Sequence, residues 1–178
     1  MYIPSVVEWK EKKVSFRQDG NFPKNPEVSF EVSAGRKSEF AVKLFVPAWA
    51  HDVEVYVNDV RQDVALSPSS YCTLKRTWRN GDKIRLRFSY EFHVKPMPDN
   101  KNMFAIFYGP MMLAFENCPE LLLEGDVTDV LRNIEMTDGE EMAFRLKNGG
   151  NSYNLRPLFD IDRQAYGVYF TVCANGCK

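Results

Sequence analysis

The chain has 178 residues, of which 44% are hydrophobic and 13% aromatic. This length is enough for one domain or two small ones with a sizeable core. The 23 Lys and Arg residues nearly balance the 24 Asp and Glu residues, so the formal net charge is −1. Such a chain has no overall field that would attract nucleic acid or an anionic membrane, and neither is predicted as a partner. No apolar run approaches the ~20 residues of a membrane helix.

Strands are predicted along most of the chain, because apolar and polar residues alternate with a period of two. The clearest example is residues 84–90, where four apolar side chains share one face and two arginines and a serine share the other. Further strands are predicted at residues 14–18, 28–33, 40–46, 53–57, 71–78, 104–108, 111–115, 142–147 and 166–172. The pattern thus indicates about ten strands.

Turn-forming residues separate these strands, notably at Asp19-Gly20, Asn58-Asp59, Asn80-Gly81-Asp82 and Asn148-Gly149-Gly150. Short strands with frequent turns predict an all-β chain, an antiparallel β-sandwich or jelly-roll-like fold with at most one short helix. That helix is expected at residues 126–133, where Asp126 can cap one or two turns that are buried through Val127, Val130 and Leu131.

The domain organisation predicted from the sequence is a single β-sandwich unit over residues 1–178. Its main sandwich covers about residues 1–117, and an irregular segment with the closing strands covers about residues 118–178. The first 13 residues lack the basic start, apolar centre and small-residue cleavage site of a secretory signal. The cellular compartment stays open.

The four cysteines are few and scattered, a pattern typical of reduced thiols rather than of a disulfide framework. They are Cys72, Cys118, Cys173 and Cys177. Cys173 and Cys177 could close a small loop or hold a metal, but a tetrahedral zinc site needs four ligands and no matching second pair occurs. We therefore predict neither a metal nor a cofactor.

No catalytic residue is predicted from local motifs. The only histidines, His51 and His93, lie in a turn and at a strand end, outside any recognisable nucleophile context, and are interpreted as surface residues. The chain has no phosphate-binding glycine loop, paired-histidine metal motif or nucleophile elbow. Glycoside cleavage commonly uses two facing carboxylates, but the glutamates between residues 116 and 141 are interpreted as a solvated face.

Aromatic residues are the remaining candidates for function, because exposed rings with polar neighbours bind sugars. The aromatics considered are Trp9, Trp49, Trp78, Tyr56, Tyr71 and Tyr108. Of these, Trp49 and Tyr56 are the candidate carbohydrate-binding residues. Trp78 shares its strand face with Cys72 and Leu74 and is predicted to lie in the core.

Trp49 also has a structural interpretation, which we favour. Pro47 ends the preceding strand by removing a ladder donor, and it fixes the direction in which the chain leaves. A rigid exit aims the indole at a definite place. We expect Trp49 to seal one end of the sandwich, with ligand stacking as the alternative.

A set of motifs, taken in order and spacing, resembles one known family. These motifs are residues 2–5 (YIPS) with Trp9, residues 22–23 (FP), 44–50 (LFVPAWA), 57–58 (VN), 76–82 (RTWRNGD), 108–114 (YGPMMLA), 155–161 (LRPLFDI) and 166–170 (YGVYF). Together they resemble the C-terminal β-sandwich region of the β-L-arabinofuranosidase-like proteins of glycoside hydrolase family 127. Phe45, Asp59 and Ala165 depart from the resemblance, since they stand where that family usually has Arg, Gly and Arg.

The resemblance implies that the chemistry lies outside this chain. In that family a catalytic glutamate and zinc-ligating, nucleophilic cysteines belong to a helical (α/α) barrel that lies N-terminal to the sandwiches, and no residue here matches those motifs. The implied role is a non-catalytic accessory domain of a glycoside hydrolase, which braces the catalytic barrel or forms subunit contacts. The expected partners are therefore the barrel domain, a second copy in a homo-oligomer, and a carbohydrate.

Two alternatives stay open: a carbohydrate-binding module that uses exposed aromatics, and a stand-alone glycosidase, which is disfavoured. An accessory role also predicts an uncovered apolar patch. The residues expected there are Phe45, Phe92, Met103, Met111 and Met112, with the alternative that they fill the core of the second sheet.

Overall fold

A computed structural model describes residues 2–137, 139 and 141–173. The chain divides into two compact units, unit 1 (Met1–Tyr90) and unit 2 (Glu91–Lys178). Strands dominate both units, and the described residues contain one α-helix, so the all-β, antiparallel sandwich class with at most one short helix is confirmed. In the described part of the chain, no helix combines the length and apolarity that a membrane span requires.

Unit 1 contains eight strands that pair only in antiparallel fashion. They are β1 (Ser5–Trp9), β2 (Val14–Asp19), β3 (Glu27–Ala34), β4 (Ser38–Val46), β5 (Val53–Val57), β6 (Val60–Arg61), β7 (Ser70–Trp78) and β8 (Asp82–Phe88). Six strands form one sheet in the order β1-β2-β3-β8-β5-β6, and β4 pairs with β7 in a second.

The core of unit 1 lies between these two sheets. In β4 and β7 buried and exposed residues alternate, so one face of the pair points inward and the other points to solvent. Leu44 and Trp78 from this pair join Val32 and Leu86 from the six-stranded sheet in one cluster of buried side chains. Trp78 is completely buried, which confirms its predicted place in the core.

The turn at residues 79–82 is fixed by Asp82, a buried carboxylate. Its side chain accepts a 2.9 Å hydrogen bond from Asn58 Nδ2 and a 2.8 Å bond from the backbone N–H of Arg79. Asn58 Oδ1 in turn accepts a 2.8 Å bond from the backbone N–H of Lys83. Burial opposes the charge, but these hydrogen bonds and the nearby Arg76 and Arg79 outweigh it, so the pKa of Asp82 is lowered.

Unit 2 contains nine strands in the described residues, and all but one of their pairings are antiparallel. They are β9 (Phe92–Pro96), β10 (Met103–Tyr108), β11 (Met111–Glu116), β12 (Leu122–Glu124), β13 (Ile134–Met136), β14 (Phe144–Asn148), β15 (Asn151–Pro157), β16 (Tyr166–Gly167) and β17 (Tyr169–Cys173). The sheet follows the order β12-β17-β10-β11-β15-β14-β13, while β9 pairs with β10 and β16 with β11.

The predicted helix is present as α1 (Val127–Arg132). Asp126 caps it by accepting a hydrogen bond from the Asp129 backbone, and the Asp129 side chain accepts one from the Asp126 backbone in return. Val130 is completely buried in the core of unit 2. A single turn of 3-10 helix, Leu158–Asp160, follows β15.

The described residues contain more strands than the ten or so predicted, because the additional ones lack alternation. All five residues of β1 are exposed, so no apolar face marks that strand. β6 is only two residues long, and β15 begins with the polar residues Asn151 and Ser152. The single strand predicted at residues 166–172 is two strands, β16 and β17, which pair with different neighbours.

Candidate functional site

Trp49 packs against aromatic residues of the unit 1 core. Its ring centroid lies 5.3 Å from that of Phe88 and 5.6 Å from that of Tyr90, and it stacks at 6.4 Å on Phe22. The turn after β4, in which the N–H of Ala50 donates to the carbonyl of Pro47, directs the indole there. These contacts agree with the structural interpretation of Trp49, and its sugar-binding role stays a prediction.

Tyr56 lies in a polar network on the outer face of the six-stranded sheet. Its hydroxyl donates a 3.0 Å hydrogen bond to Glu54 Oε2, and the guanidinium of Arg85 lies over its ring, 4.8 Å from the centroid. Arg85 also contacts Asp59 at 3.2 Å, and Arg61 contacts Glu54 at 3.5 Å. The ring of Tyr56 therefore already has a cation over one face, and its contacts share no residue with those of Trp49.

The outward face of β4 and β7 carries a pair of exposed aromatics that the sequence did not single out together. Tyr71 is 64% exposed and Phe45 is 39% exposed. The two residues are directly opposite in the register, and their ring centroids are 5.2 Å apart with planes tilted by 58°. The alternation of polar and apolar residues in β7 could have identified Tyr71 as exposed, because it places the odd-numbered residues of this strand on the outward face.

The whole outward surface of β4 and β7 is here called the Tyr71 face, and apart from the two rings it is mainly polar. It consists of the outward residues of β4 and β7, paired across the strands as Phe45 with Tyr71, Lys43 with Thr73, Ala41 with Lys75, and Glu39 with Thr77. Successive pairs are about 7 Å apart, because a strand rises about 3.4 Å per residue. The face is thus a narrow strip with the two rings at one end, Lys43 in the next row and Lys75 in the row after that.

Tyr2 anchors the ring end of this strip from below. Its hydroxyl donates a hydrogen bond to the carbonyl of Phe45. Its ring packs edge-on against Phe22 and Phe30 and tilted against Phe88, with centroids 5.7 to 6.0 Å away. Burial, with smaller contributions from Cys72 and Tyr71, raises the pKa of Tyr2 to about 12, so this donor keeps its proton throughout the neutral range.

Two grooves lined mainly by charged and polar residues are also present. A groove of about 760 Å³ in unit 1 passes Trp9, whose ring is edge-on to Phe40 at 5.7 Å and has Lys12 Nζ 5.7 Å from its centroid. A groove of about 670 Å³ in unit 2 passes Glu124 and Asn148. The Asn148 side chain exchanges two 2.8 Å hydrogen bonds with the backbone of Glu124. These bonds hold the hairpin formed by β14 and β15 against β12.

The residues that could hold a metal ion are dispersed in the described part of the chain. Within residues 2–137, 139 and 141–173, no three His, Cys, Asp or Glu residues are placed to hold a metal ion. Cys72 is buried in unit 1, whereas Cys118 and Cys173 are half-buried in unit 2. Cys177, the other half of the suggested Cys173–Cys177 loop, lies outside the described residues. These thiols therefore do not fit the zinc that the resemblance assigns to a catalytic barrel.

Of the residues expected in an apolar patch, only Phe45 is exposed. Phe92, Met103 and Met112 are half-buried, and Met111 is buried at 2% exposure, so for Met111 the surface patch is excluded and the alternative of a core position holds. Met111 is buried because it is the first residue of β11, between β10 and β15 in the sheet. His51 is exposed in a turn, and His93 stacks on Phe107 with ring centroids 5.4 Å apart.

The described residues expose aliphatic side chains on β1 instead. Val6 is 64% exposed and Val7 is 60% exposed, and consecutive strand residues point to opposite faces, so each face of β1 carries one exposed valine. Ile3, just before the strand, is 59% exposed. β1 ends the order of its sheet and pairs only with β2 among the described strands, which leaves its outer edge open.

Three solved structures that share this fold are described as glycoside hydrolases. A β-L-arabinofuranosidase of glycoside hydrolase family 127 (GH127) from Geobacillus stearothermophilus matches 97% of this chain at a TM-score of 0.73 and 20% identity. A second GH127 β-arabinofuranosidase matches 96% of this chain at a TM-score of 0.70 and 17% identity. A protein described as a glycoside hydrolase matches 94% of this chain at a TM-score of 0.69 and 14% identity. The chain spans about a third of each of those proteins, namely 33%, 33% and 34%.

Sequence comparison places the relationship in unit 1. A search of curated protein sequences found no match. The profile described as "Beta-L-arabinofuranosidase, GH127 middle domain" matches residues 1–90, which are the residues of unit 1. Since this match covers half of the chain, the chain belongs to the β-L-arabinofuranosidase GH127 family and carries its middle domain in residues 1–90.

Proposed function

We propose that this chain is a non-catalytic accessory region of a GH127 glycoside hydrolase of the arabinofuranosidase type, which follows the catalytic (α/α) barrel in the parent protein and braces it. The accessory region would span residues 1–178, and both units would contribute to it. The proposal draws on the middle-domain match and on the chain's length, about a third of the related proteins.

The bracing role is supported by the exposed outer edge of β1, unpaired among the described strands. Edge strands of folded proteins are normally blunted by charge, proline or a covering element, because a flat apolar edge is a template for pairing. β1 has a row of unpaired backbone groups beside Val6 and Val7, which are exposed on opposite faces. A covering domain would bury both valines and pair the edge, and β1 is the first strand within the residues matched by the middle-domain profile.

The experiment first reads the coding sequence upstream of this chain and, where an (α/α) barrel is encoded there in frame, joins the chain to it. In that protein we expect the backbone amides of β1 to be protected from hydrogen exchange, and the double substitution Val6→Lys, Val7→Lys to remove this protection and lower the thermal midpoint of the barrel. The matched control is Thr73→Lys with Thr77→Lys, two exposed positions on β7. The bracing role is contradicted if no catalytic domain is encoded upstream, or if the β1 variant leaves the barrel unchanged.

A subunit contact is the second use that β1 could serve, and the same variants test it. Sedimentation of the 178-residue chain at rising concentration would show a dimer that the β1 double variant abolishes. Release of sugar from an arabinofuranoside by the chain alone, with or without added zinc, would instead support the stand-alone glycosidase. We expect no release, because the resemblance assigns the catalytic residues to a separate barrel domain and no three potential metal ligands are clustered in the described residues.

The carbohydrate role predicted for Trp49 and Tyr56 has its own test. Trp49→Ala and Tyr56→Phe would each have to weaken binding of a neutral oligosaccharide while leaving the protein folded. Because Trp49 contacts three core aromatics, the readout for that variant must include a denaturation curve.

A further inference from the structure

The Tyr71 face differs in chemistry from β1. The side chains exposed on β1 include adjacent aliphatic ones, as expected of a surface that another protein covers. The Tyr71 face offers one aromatic pair followed by rows of lysine, threonine and alanine. Such a mixture, rings with convergent polar groups on a rigid strand pair, is the composition of a site for a polar ligand with apolar faces.

Tyr71 is held in place while most of its ring stays in solvent. Phe45 meets it at 5.2 Å with a 58° tilt and so supports it from the neighbouring strand. Phe45 is itself fixed from within the core by the hydrogen bond that Tyr2 donates to its carbonyl. An aromatic ring positioned in advance loses little conformational freedom when a flat ligand stacks on it. Sugar rings present such flat C–H faces.

The charges on the same strip select among sugars. Lys43 is the next outward residue from Phe45 on β4, and Lys75 lies one row further on β7, opposite Ala41. Both side chains are exposed. The only carboxylate on the face, Glu39, lies at the far end opposite Thr77, so the two rows nearest the rings carry positive charge alone. Ammonium groups beside a stacking ring favour a ligand that has a carboxylate next to its sugar ring.

We propose that the Tyr71 face binds an acidic saccharide, a glycan with uronate residues, with one sugar stacked on Tyr71 and carboxylates of its neighbours paired with Lys43 and Lys75. The strip from Tyr71 to Lys75 covers two row spacings, about 14 Å, which fits a short oligosaccharide. Thr73 lies opposite Lys43, between Tyr71 and Lys75 on β7, and can exchange hydrogen bonds with sugar hydroxyls. The site is independent of the bracing role, since it uses neither β1 nor a second domain.

The test uses the 178-residue chain and two probes with the same sugar backbone, polygalacturonate, which is charged, and its fully methyl-esterified form, which is neutral. Calorimetric titration should show binding of polygalacturonate that weakens as salt rises, because exposed charge pairs are screened within about 10 Å at 0.1 M salt. The methyl ester should bind about tenfold more weakly or not at all. Equal binding of both polymers, or of neither, would overturn the proposal.

Variants assign the binding to this strip. We expect Tyr71→Ala and Tyr71→Leu each to weaken binding about tenfold, as does loss of a central aromatic contact elsewhere, while Tyr166→Ala, an exposed tyrosine of unit 2, leaves it unchanged. The double variant Lys43→Glu, Lys75→Glu should abolish binding, and its control with the same charge change, Lys83→Glu with Lys101→Glu, should not. Unchanged binding in either Tyr71 variant would overturn the site. Tyr71→Leu is included because it keeps an apolar side chain and so still tests the site if the alanine variant loses stability.

Discussion

The indole nitrogen of Trp78 donates a 3.1 Å hydrogen bond to the carbonyl oxygen of Phe40, and the two rings stack with centroids 5.9 Å apart. β7 is thereby tied to β4 through a side chain as well as through the backbone ladder, at the end of the strand pair where Ser38 is opposite Trp78. The bond lies entirely inside the core, since Trp78 is completely buried.

Trp78→Phe should lower the free energy of unfolding of unit 1 by about 2–4 kcal/mol. The substitution leaves a cavity and strips the Phe40 carbonyl of its buried donor. All three tryptophans, Trp9, Trp49 and Trp78, lie in unit 1, so tryptophan fluorescence during a urea titration reports on this unit. The control is Trp9→Phe, at a partly exposed ring, with an expected loss below about 1 kcal/mol. A loss for Trp78→Phe as small as that of the control would contradict the role of the bond.

Asp82→Asn should lower the stability of unit 1 by about 1–3 kcal/mol at neutral pH, because a buried acceptor of two hydrogen bonds is replaced by a group that is half donor. The pKa of Asp82 is lowered in the folded state, so its contribution is present above the unfolded pKa and is lost as pH falls through the folded pKa. The gap between wild type and variant should therefore narrow in the acid range below about pH 4. Urea titrations at a series of pH values measure this difference in unfolding free energy, and Asp99→Asn, at an exposed position, is the control. A gap that widens on acidification would disprove the assignment.

Gly167→Ala should destabilise unit 2 by about 2–3 kcal/mol or prevent β16 from pairing. A Cβ at this position would lie 2.4 Å from the carbonyl oxygen of Cys118 and 2.7 Å from that of Pro119, and backbone atoms cannot swing aside. Gly35→Ala is the matched control, because nothing lies within 4 Å of a Cβ there. Hydrogen exchange of unit 2 peptides, followed by mass spectrometry, separates the two variants. Equal protection in both would show that the chain relaxes around residue 167.

Asp59→Gly should stabilise unit 1 by up to about 1 kcal/mol, and the gain should be larger at high salt. Asn58 and Asp59 form the two-residue turn between β5 and β6 with φ angles of 51° and 64°, a conformation in which glycine has no Cβ penalty. The substitution also removes the exposed contact between Asp59 and Arg85, which contributes about 0–1 kcal/mol and is screened by salt. Fluorescence-detected urea titrations at low and high salt measure both effects. A variant less stable than wild type at high salt would refute the turn strain.

The features that the sequence predicted correctly depend on local patterns. Trp78 was predicted in the core because its strand alternates cleanly, and Asp126 was predicted as a helix cap because the capping signal lies within four residues. β1 carries no such pattern, since all of its residues are exposed. Its assignment requires a partner strand, which single-strand periodicity does not supply.

The candidate surfaces were harder to predict, because exposure depends on distant residues. Alternation places Tyr71 and Lys43 on the same side of a strand pair only once the register of β4 against β7 is known. The contacts of Trp49 with Phe22 and Tyr90 join residues far apart in the chain, as does the placement of Arg85 over Tyr56. None of these contacts can be predicted from a short window of neighbouring residues.

The parallel pairing of β12 with β17 has a consequence for synthesis on the ribosome. β17 contributes the register partners of Leu122, Leu123 and Glu124, and those partners are Thr171, Val172 and Cys173. Nascent unit 1 has all eight of its strands once Phe88 has emerged, whereas unit 2 waits for residues near 173 before β12 has its partner. We therefore expect unit 1 to fold while translation continues and unit 2 to close only after almost all of the described chain has left the exit tunnel.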